Sequence, residues 1–295
     1  MDTVRRAGTH PARRTGGPLR LRTAARRPRR ATGNRRRNGL GDCLSTGQER
    51  RQLDVLDNPV WWALTGPQRD LGSAGPLAAR FDPEVSPFGA FSSEPTGSHW
   101  EDLAELAGPG GTSALVRVED DAVRPPPGWA LLRELHGVQM IGQGLRLRRV
   151  RSPGPTGPDD NRPANIPVRL TVADVGDMLE LVGLAQPGPF LERTVELGAY
   201  LGIRRQGRLV AMAGERFHPP GYSEISAVAT HPDHRRQGLA ELLVGAAATA
   251  IAERGDTPFL HASAGNTNAI RLYESMGFAV RRTLSFAVVQ APDRS

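Results

Sequence analysis

The strongest constraint on the fold is one apolar stripe near the C-terminus. Leu239, Leu242, Leu243, Ala246, Ala247, Ala250 and Ile251 recur at intervals of three and four residues. That spacing places them on one side of an α-helix, and a stripe this continuous must be buried against another layer. Candidate layers flank it in the chain. Glu224-Ile225-Ser226-Ala227-Val228-Ala229-Thr230 is a β-branched strand, and Phe259-Leu260-His261-Ala262-Ser263 is another. Val168, Leu170 and Val172 alternate as a strand, and 175–182 reads as a helix that Asp174 caps. Segments 199–203 and 208–214 flank Gln206-Gly207, a hairpin signal. A short helix at 269–276 stops at Gly277, and a last strand covers 280–289. This part of the chain, 166–292, is an α/β domain.

Residues 52–150 read as a first ordered lobe. Val60-Trp61-Trp62 opens an apolar segment after Asn58-Pro59, and Trp100, Leu103, Leu106 and Ala107 have helical spacing behind Ser98 and His99. Ala114–Val118 is strand-like, and 129–132 and 138–141 are two further apolar patches. The tryptophans read as core anchors. Residues 151–165, rich in Pro, Gly and charge, read as a linker.

Residues 1–51 read as a disordered tail. Its 15 Arg face only Asp2, Asp42 and Glu49, a net charge of +12, whereas 52–295 carries 23 Arg against 28 acids. The overall +7 therefore belongs to the tail. Three readings stand for it: a mis-assigned start, a solvated tail, or a nucleic-acid or anionic-membrane tail. No aromatic is interleaved for base stacking, which disfavours nucleic acid. All 38 basic residues are Arg, so mechanisms that need Lys, including Schiff-base and P-loop chemistry, are excluded. The single Cys43 excludes a disulfide framework and a Cys-based zinc site. No apolar run suits a membrane span or a secretory signal, and the expectation is a cytoplasmic protein.

The chemistry-bearing run is His231-Pro232-Asp233-His234-Arg235-Arg236-Gln237-Gly238-Leu239-Ala240. A strand ends, a basic turn follows, and a helix begins near Gly238. Unpaired N–H groups and the positive dipole end suit a phosphate. Gly238 and Ala240 allow close approach, and Arg235 and Arg236 add charge. An ordinary strand-to-helix turn with surface Arg fits this run too. His231 and His234 lack the helical spacing of a zinc site, and no metal is expected. Ser226 and Ser263 lack a nucleophile-elbow context.

A second run, Asn266-Thr267-Asn268-Ala269-Ile270-Arg271-Leu272-Tyr273-Glu274-Ser275-Met276-Gly277-Phe278, resolves that choice. With Arg235, Gly238 and Ala240 it resembles the second half of a Gcn5-related N-acetyltransferase (GNAT) domain. The resemblance covers 199–285 and extends to 166. Together with the first lobe it is similar to two-lobed actinobacterial GNAT proteins. It implies a mixed central sheet, flanked by helices, that splays between the strands at 224–230 and 259–263. The first lobe is then a smaller α/β lobe, either accessory or a degenerate GNAT half.

The resemblance also implies a reaction. Acetyl-CoA lies in the splay as co-substrate, and its pantetheine pairs with Val228, Ala229 and Thr230. The amides of Arg236, Gln237, Gly238, Leu239, Ala240 and Glu241 hold the pyrophosphate beside Arg235, and Asn266 belongs to the binding set. The Val228 amide faces the developing oxyanion. A primary amine attacks the thioester directly, and Tyr273 protonates the leaving thiolate. Three groups compete for the amine's proton: Glu224, whose pKa partial burial would raise; His261; and Glu215, with bulk water as the remaining acceptor. Glu192 or Glu196 pairing an ammonium, or Arg193 pairing a carboxylate, are candidate acceptor contacts. The rival reading is an acyl-CoA-binding sensor without turnover.

Overall fold

The computed structural model describes residues 55–118, 123–145 and 165–293. The expected tail, and the expected linker apart from Asn165, lie outside the described residues. Residues 55–118 and 123–145, together the first stretch, hold helix α1 (Pro59–Leu64), strands β1 (Gly72–Ala74), β2 (Ala78–Phe81) and β3 (Phe88–Phe91), helix α2 (Gly97–Ala107), and strands β4 (Thr112–Val118) and β5 (Ala130–Ile141). The second holds β6 (Val168–Leu170), helix α3 (Val175–Ala185), β7 (Tyr200–Arg205), β8 (Arg208–Glu215), β9 (Tyr222–Thr230), helix α4 (Leu239–Glu253), β10 (Thr257–Ser263), helix α5 (Thr267–Met276) and β11 (Ala279–Gln290).

All these strands join one mixed sheet in the order β1-β2-β3-β4-β11-β5-β10-β9-β8-β7-β6. Its centre is an exchange. β5 follows β4 in the chain, yet it lies between β10 and β11 and is antiparallel to both. β11 in turn lies between β5 and β4. A boundary drawn at 150 in the sequence therefore has strands crossing it in both directions. The path also repeats: β2–β3–α2–β4 and β8–β9–α4–β10 are each an antiparallel pair, a helix, and a strand parallel to the second of the pair.

The predicted helix forms, but its buried face is turned slightly from the stripe as read. Leu239 and Leu243 meet Ile203, Val210 and Ala211. Ala247 and Ile251 join Val244 and Ala248, outside that stripe, against Ile225, Leu260 and Met140, while Leu242, Ala246 and Ala250 are half-buried. On the opposite face Phe259, Ile141 and Tyr222 pack with Phe88, Phe217 and α1, while α3 covers Tyr200, Met212 and Ala229. The Gln206-Gly207 hairpin forms as read, with Arg205 opposite Arg208 and both turn residues at positive φ (51° and 80°). Of the tryptophans, Trp100 anchors a core, standing edge-to-face on Phe91 and Trp129 at 4.9 Å each, whereas Trp62 is exposed.

Three local expectations are corrected. Asp174 does not cap α3; its carboxylate accepts from the Thr171 amide (2.8 Å) and from Arg204 (2.6 Å), one turn earlier. α2 is capped by Thr96 and His99 rather than started by Ser98. The patches at 129–132 and 138–141 are the two ends of one strand, β5.

Candidate active site

β9 and β10 are parallel neighbours only from Tyr222–Thr257 to Ile225–Leu260. Beyond that point β9 stays with β8 and β10 stays with β5. The two strands part, and their facing N–H and C=O groups lose their ladder. Such groups require water or a ligand with amides of its own.

A bulge lies just inside the parting. Ala227 and Val228 together oppose Ala213, since Met212 pairs with Ala229 and Gly214 with Ser226. Ala227 takes φ +51°, unusual for a residue with a Cβ. The bulge turns the Val228 peptide out of the regular β8 ladder at the mouth of the splay.

The same end of β9 leads into the N-terminus of α4. Arg235 through Gly238 are exposed. Arg236 (φ +61°) and Gly238 (φ +74°) are both left-handed, so successive amides converge into a concave, anion-binding backbone. A Cβ built on Gly238 meets nothing within 4 Å, so the approach to the helix end is open. No side chain caps α4. Leu239 is buried and anchors the turn, while Glu241 is exposed in the first helical turn. Gln237 accepts from Arg205 (2.6 Å), and Arg235 Nε reaches the Thr230 carbonyl at 3.5 Å. His231 Nδ1 accepts from the Asp233 amide (3.2 Å), which fixes the turn.

The first stretch provides a control. β3 and β4 are also parallel, paired at Phe88–Ala114 and Gly89–Leu115 before they part, and a cavity of about 180 Å³ lies there. It is not built for a phosphate. Asn58 Nδ2 donates to the Phe91 carbonyl at 2.7 Å, and Thr96 and His99 occupy the helix end. Glu94, bound to Arg117, puts an acid beside it. Of the two splays, only that of β9 and β10 leads to an open cradle.

The three predicted proton acceptors are not free. Glu224 is fully buried and accepts Arg216 Nε (2.9 Å) and Nη2 (2.5 Å). His261 Nδ1 lies 2.7 Å from the same carboxylate. Burial alone would raise the Glu224 pKa, but Arg216 and His261 outweigh it and hold it down at about 2. The expected upward shift is thus corrected: the site encloses a carboxylate with its own counterion. Arg216, missed in the sequence, is itself stacked between Phe88 (4.8 Å) and Phe217 (4.6 Å).

His261 is closed on its other side. Gln139 Nε2 stands 3.1 Å from His261 Nε2 and 2.8 Å from the Leu56 carbonyl, while Gln139 Oε1 accepts from Arg281 (2.9 Å). Arg281 can only donate, so the Gln139 amide NH2 faces both other partners. His261 Nε2 is therefore the acceptor, and Nδ1 carries the proton to Glu224. Asp57 continues the chain to Arg281 at 2.5 Å. Glu215 is buried at the closed end of β9, paired with Arg254 (2.9 Å) and 3.4 Å from His218.

Tyr273 differs. It lies in the cluster that includes Val228 and Ala262, and no group among the described residues hydrogen-bonds its hydroxyl. Burial pushes its pKa up to about 12, so it holds its proton at neutral pH. Asn266 caps α5, its side chain accepting from the Ala269 amide (3.2 Å). Of the candidate acceptor contacts, Arg193 and Glu196 are engaged with each other (2.8 Å), and Arg193 also binds Asp82 (2.7 Å), which fastens the loop before β7 to the first stretch.

The FR47-like protein family matches residues 200–287, which run from β7 through most of β11. A protein from Novosphingobium aromaticivorans assigned as a GNAT-family acetyltransferase is 36% identical; the match covers 81% of this chain and 99% of that one, with a TM-score of 0.69. The chain belongs to the GNAT family. A GCN5-related N-acetyltransferase-like protein from Streptococcus suis shares the GNAT fold at 17% identity, covering 83% of this chain and 99% of that one, with a TM-score of 0.51. No curated protein matches the chain in sequence. No helix among the described residues is long and apolar enough to cross a membrane.

Proposed function

We propose that this GNAT protein transfers an acetyl group from acetyl-CoA to a primary amine, within one ternary complex. The observation that carries the reading is the coincidence of three features at one end of β9: the parted strands, the Val228 bulge, and the uncapped turn at Gly238. The residues fit acetyl-CoA. The amides from Arg236 to Glu241 hold the pyrophosphate, with Arg235 beside them, and β9 from Val228 to Thr230 offers strand-like hydrogen bonds to the two pantetheine amides. The Val228 N–H stabilises the oxygen on which charge develops.

The amine nitrogen forms a bond to the thioester carbon, and the carbon–sulfur bond breaks. Tyr273 donates its proton to the departing sulfur and is reprotonated from solvent. Glu224 and His261 have no lone pair turned toward a substrate, so the amine loses its proton to water. Their network instead stiffens the floor of the splay and ties Gln139 of β5 to β10.

Calorimetric titration with acetyl-CoA, followed by thiol release over a panel of amines, tests the reading. Micromolar binding with release above the hydrolysis background is the expected result. Binding with no release from any amine would favour the sensor reading. A folded protein that does not bind acetyl-CoA would overturn the proposal.

A further inference from the structure

Arg80 on β2 is a buried cation without an acid of its own. Ala79 and Phe81 pack against α1, so Ala78 and Arg80, on the alternate positions, face α2. Arg80 is only 9% exposed. Its Nη2 donates to the carbonyl of Thr112, the first residue of β4, at 2.9 Å. Its Nε is buried with no acceptor, and no carboxylate among the described residues forms an ion pair with it. Asp82, the acid whose field reaches it, is committed elsewhere: Oδ2 accepts from Arg193 (2.7 Å) and Oδ1 from the Glu84 amide (3.0 Å). Burial lowers the Arg80 pKa, and Asp82 offsets this only in part. A desolvated guanidinium with one neutral acceptor is unfavourable until an anion joins it.

A cavity of about 360 Å³ lies against this side chain, within the range of small-ligand pockets. Strands β1 and β2, Leu106 of α2 and Arg193 form its walls. Ser73 pairs directly with Arg80 across β1 and β2, so the two side chains share a face. None of these residues belongs to the turn at 235–241 or to the splay of β9 and β10.

The walls also restrict the anion. Asp70 and Asp82 line the same cavity, and they repel a doubly charged phosphate more strongly than a singly charged group. The planar fork of a guanidinium matches a carboxylate.

We propose that this cavity is a binding site for a small monocarboxylate, whose oxygens accept from Arg80 and from the Ser73 hydroxyl. The site is separate from the acyl-CoA cradle and does not depend on the acetyl-transfer reading.

The test titrates the full chain by calorimetry with sodium acetate, L-lactate and benzoate at constant ionic strength, with inorganic phosphate as the control. The expected result is saturable binding of at least one carboxylate with a Kd of about 1 mM or tighter, and phosphate at least about tenfold weaker. R80M weakens the carboxylate at least about tenfold, and R80K, which keeps the charge without the fork, at least about threefold. Because the charge removed is unpaired, the Tm of R80M stays within about 3 °C of the natural protein or rises. Acetyl-CoA binding is unchanged in both variants. Equal carboxylate binding in the natural protein and the two variants overturns the site. Phosphate bound as tightly as the carboxylates overturns the ligand class. A natural protein that binds none of the three carboxylates at 20 mM overturns the proposal, and so does a Tm lowered by more than about 8 °C in R80M, which would make Arg80 a structural cation.

Discussion

Replacing Glu224 with Gln separates a structural carboxylate from a catalytic base. In the folded protein this carboxylate is fully buried between Arg216 and His261, with a pKa near 2. The neutral amide leaves the Arg216 guanidinium without its counterion, 11% exposed among Phe rings. Removing one partner of a buried pair costs about 3–5 kcal/mol. For a domain of this size that lowers Tm by roughly 10 °C. Linkage gives a similar figure. A carboxyl lowered from 4.5 to about 2 contributes about 3 kcal/mol, fully present above pH 4.5 and lost as pH falls toward 2. Acid unfolding followed by Trp fluorescence should therefore show a transition in that window for the natural protein, and E224Q should lose its pH dependence there. At a temperature where E224Q remains folded, kcat should fall only a few-fold. Loss of a general base costs about 10²–10⁴-fold. An E224Q protein with normal Tm and a hundredfold lower kcat would refute the argument.

Tyr273→Phe should lower kcat by about 10²-fold or more while leaving Tm within about 2 °C, because the hydroxyl has no protein hydrogen bond to lose; equal thiol-release rates would remove the general acid. Gly238→Val should raise the acetyl-CoA Kd at least tenfold, since φ +74° suits glycine and the added carbons enter the open approach, as calorimetry can read. Gln68→Ala removes bonds from its amide to the Leu197 (2.9 Å) and Arg216 (2.7 Å) carbonyls and from the His218 amide to its oxygen (3.0 Å), a cost of about 2–4 kcal/mol in urea unfolding. Burial holds the His218 pKa down, so its contribution to stability is complete above pH 6.5 and declines as pH falls below that value; His218→Gln should flatten the melting profile between pH 6.5 and 5.

Much of the second stretch was legible because its signals are local. The 3.6-residue stripe of α4, the Gln206-Gly207 turn and the glycine before α4 each act within a few residues. The cradle and the Asn266–Phe278 run together marked the family. β2 and β3 escaped because Ala-Ala-Arg-Phe and Phe-Gly-Ala-Phe are buried on both faces and show no alternation.

The sequence by itself determined the strand-to-helix turn at 231–240 and the family it marks, since such a turn is made of consecutive residues. Only the tertiary structure decided the state of the candidate bases. Glu224 meets Arg216 eight residues away, and His261 meets Gln139 across 122 positions. It also decided that β5 completes the sheet between β10 and β11. A carboxylate's pKa and a strand's place in the sheet depend on what packs against them, and those neighbours are chosen by the fold.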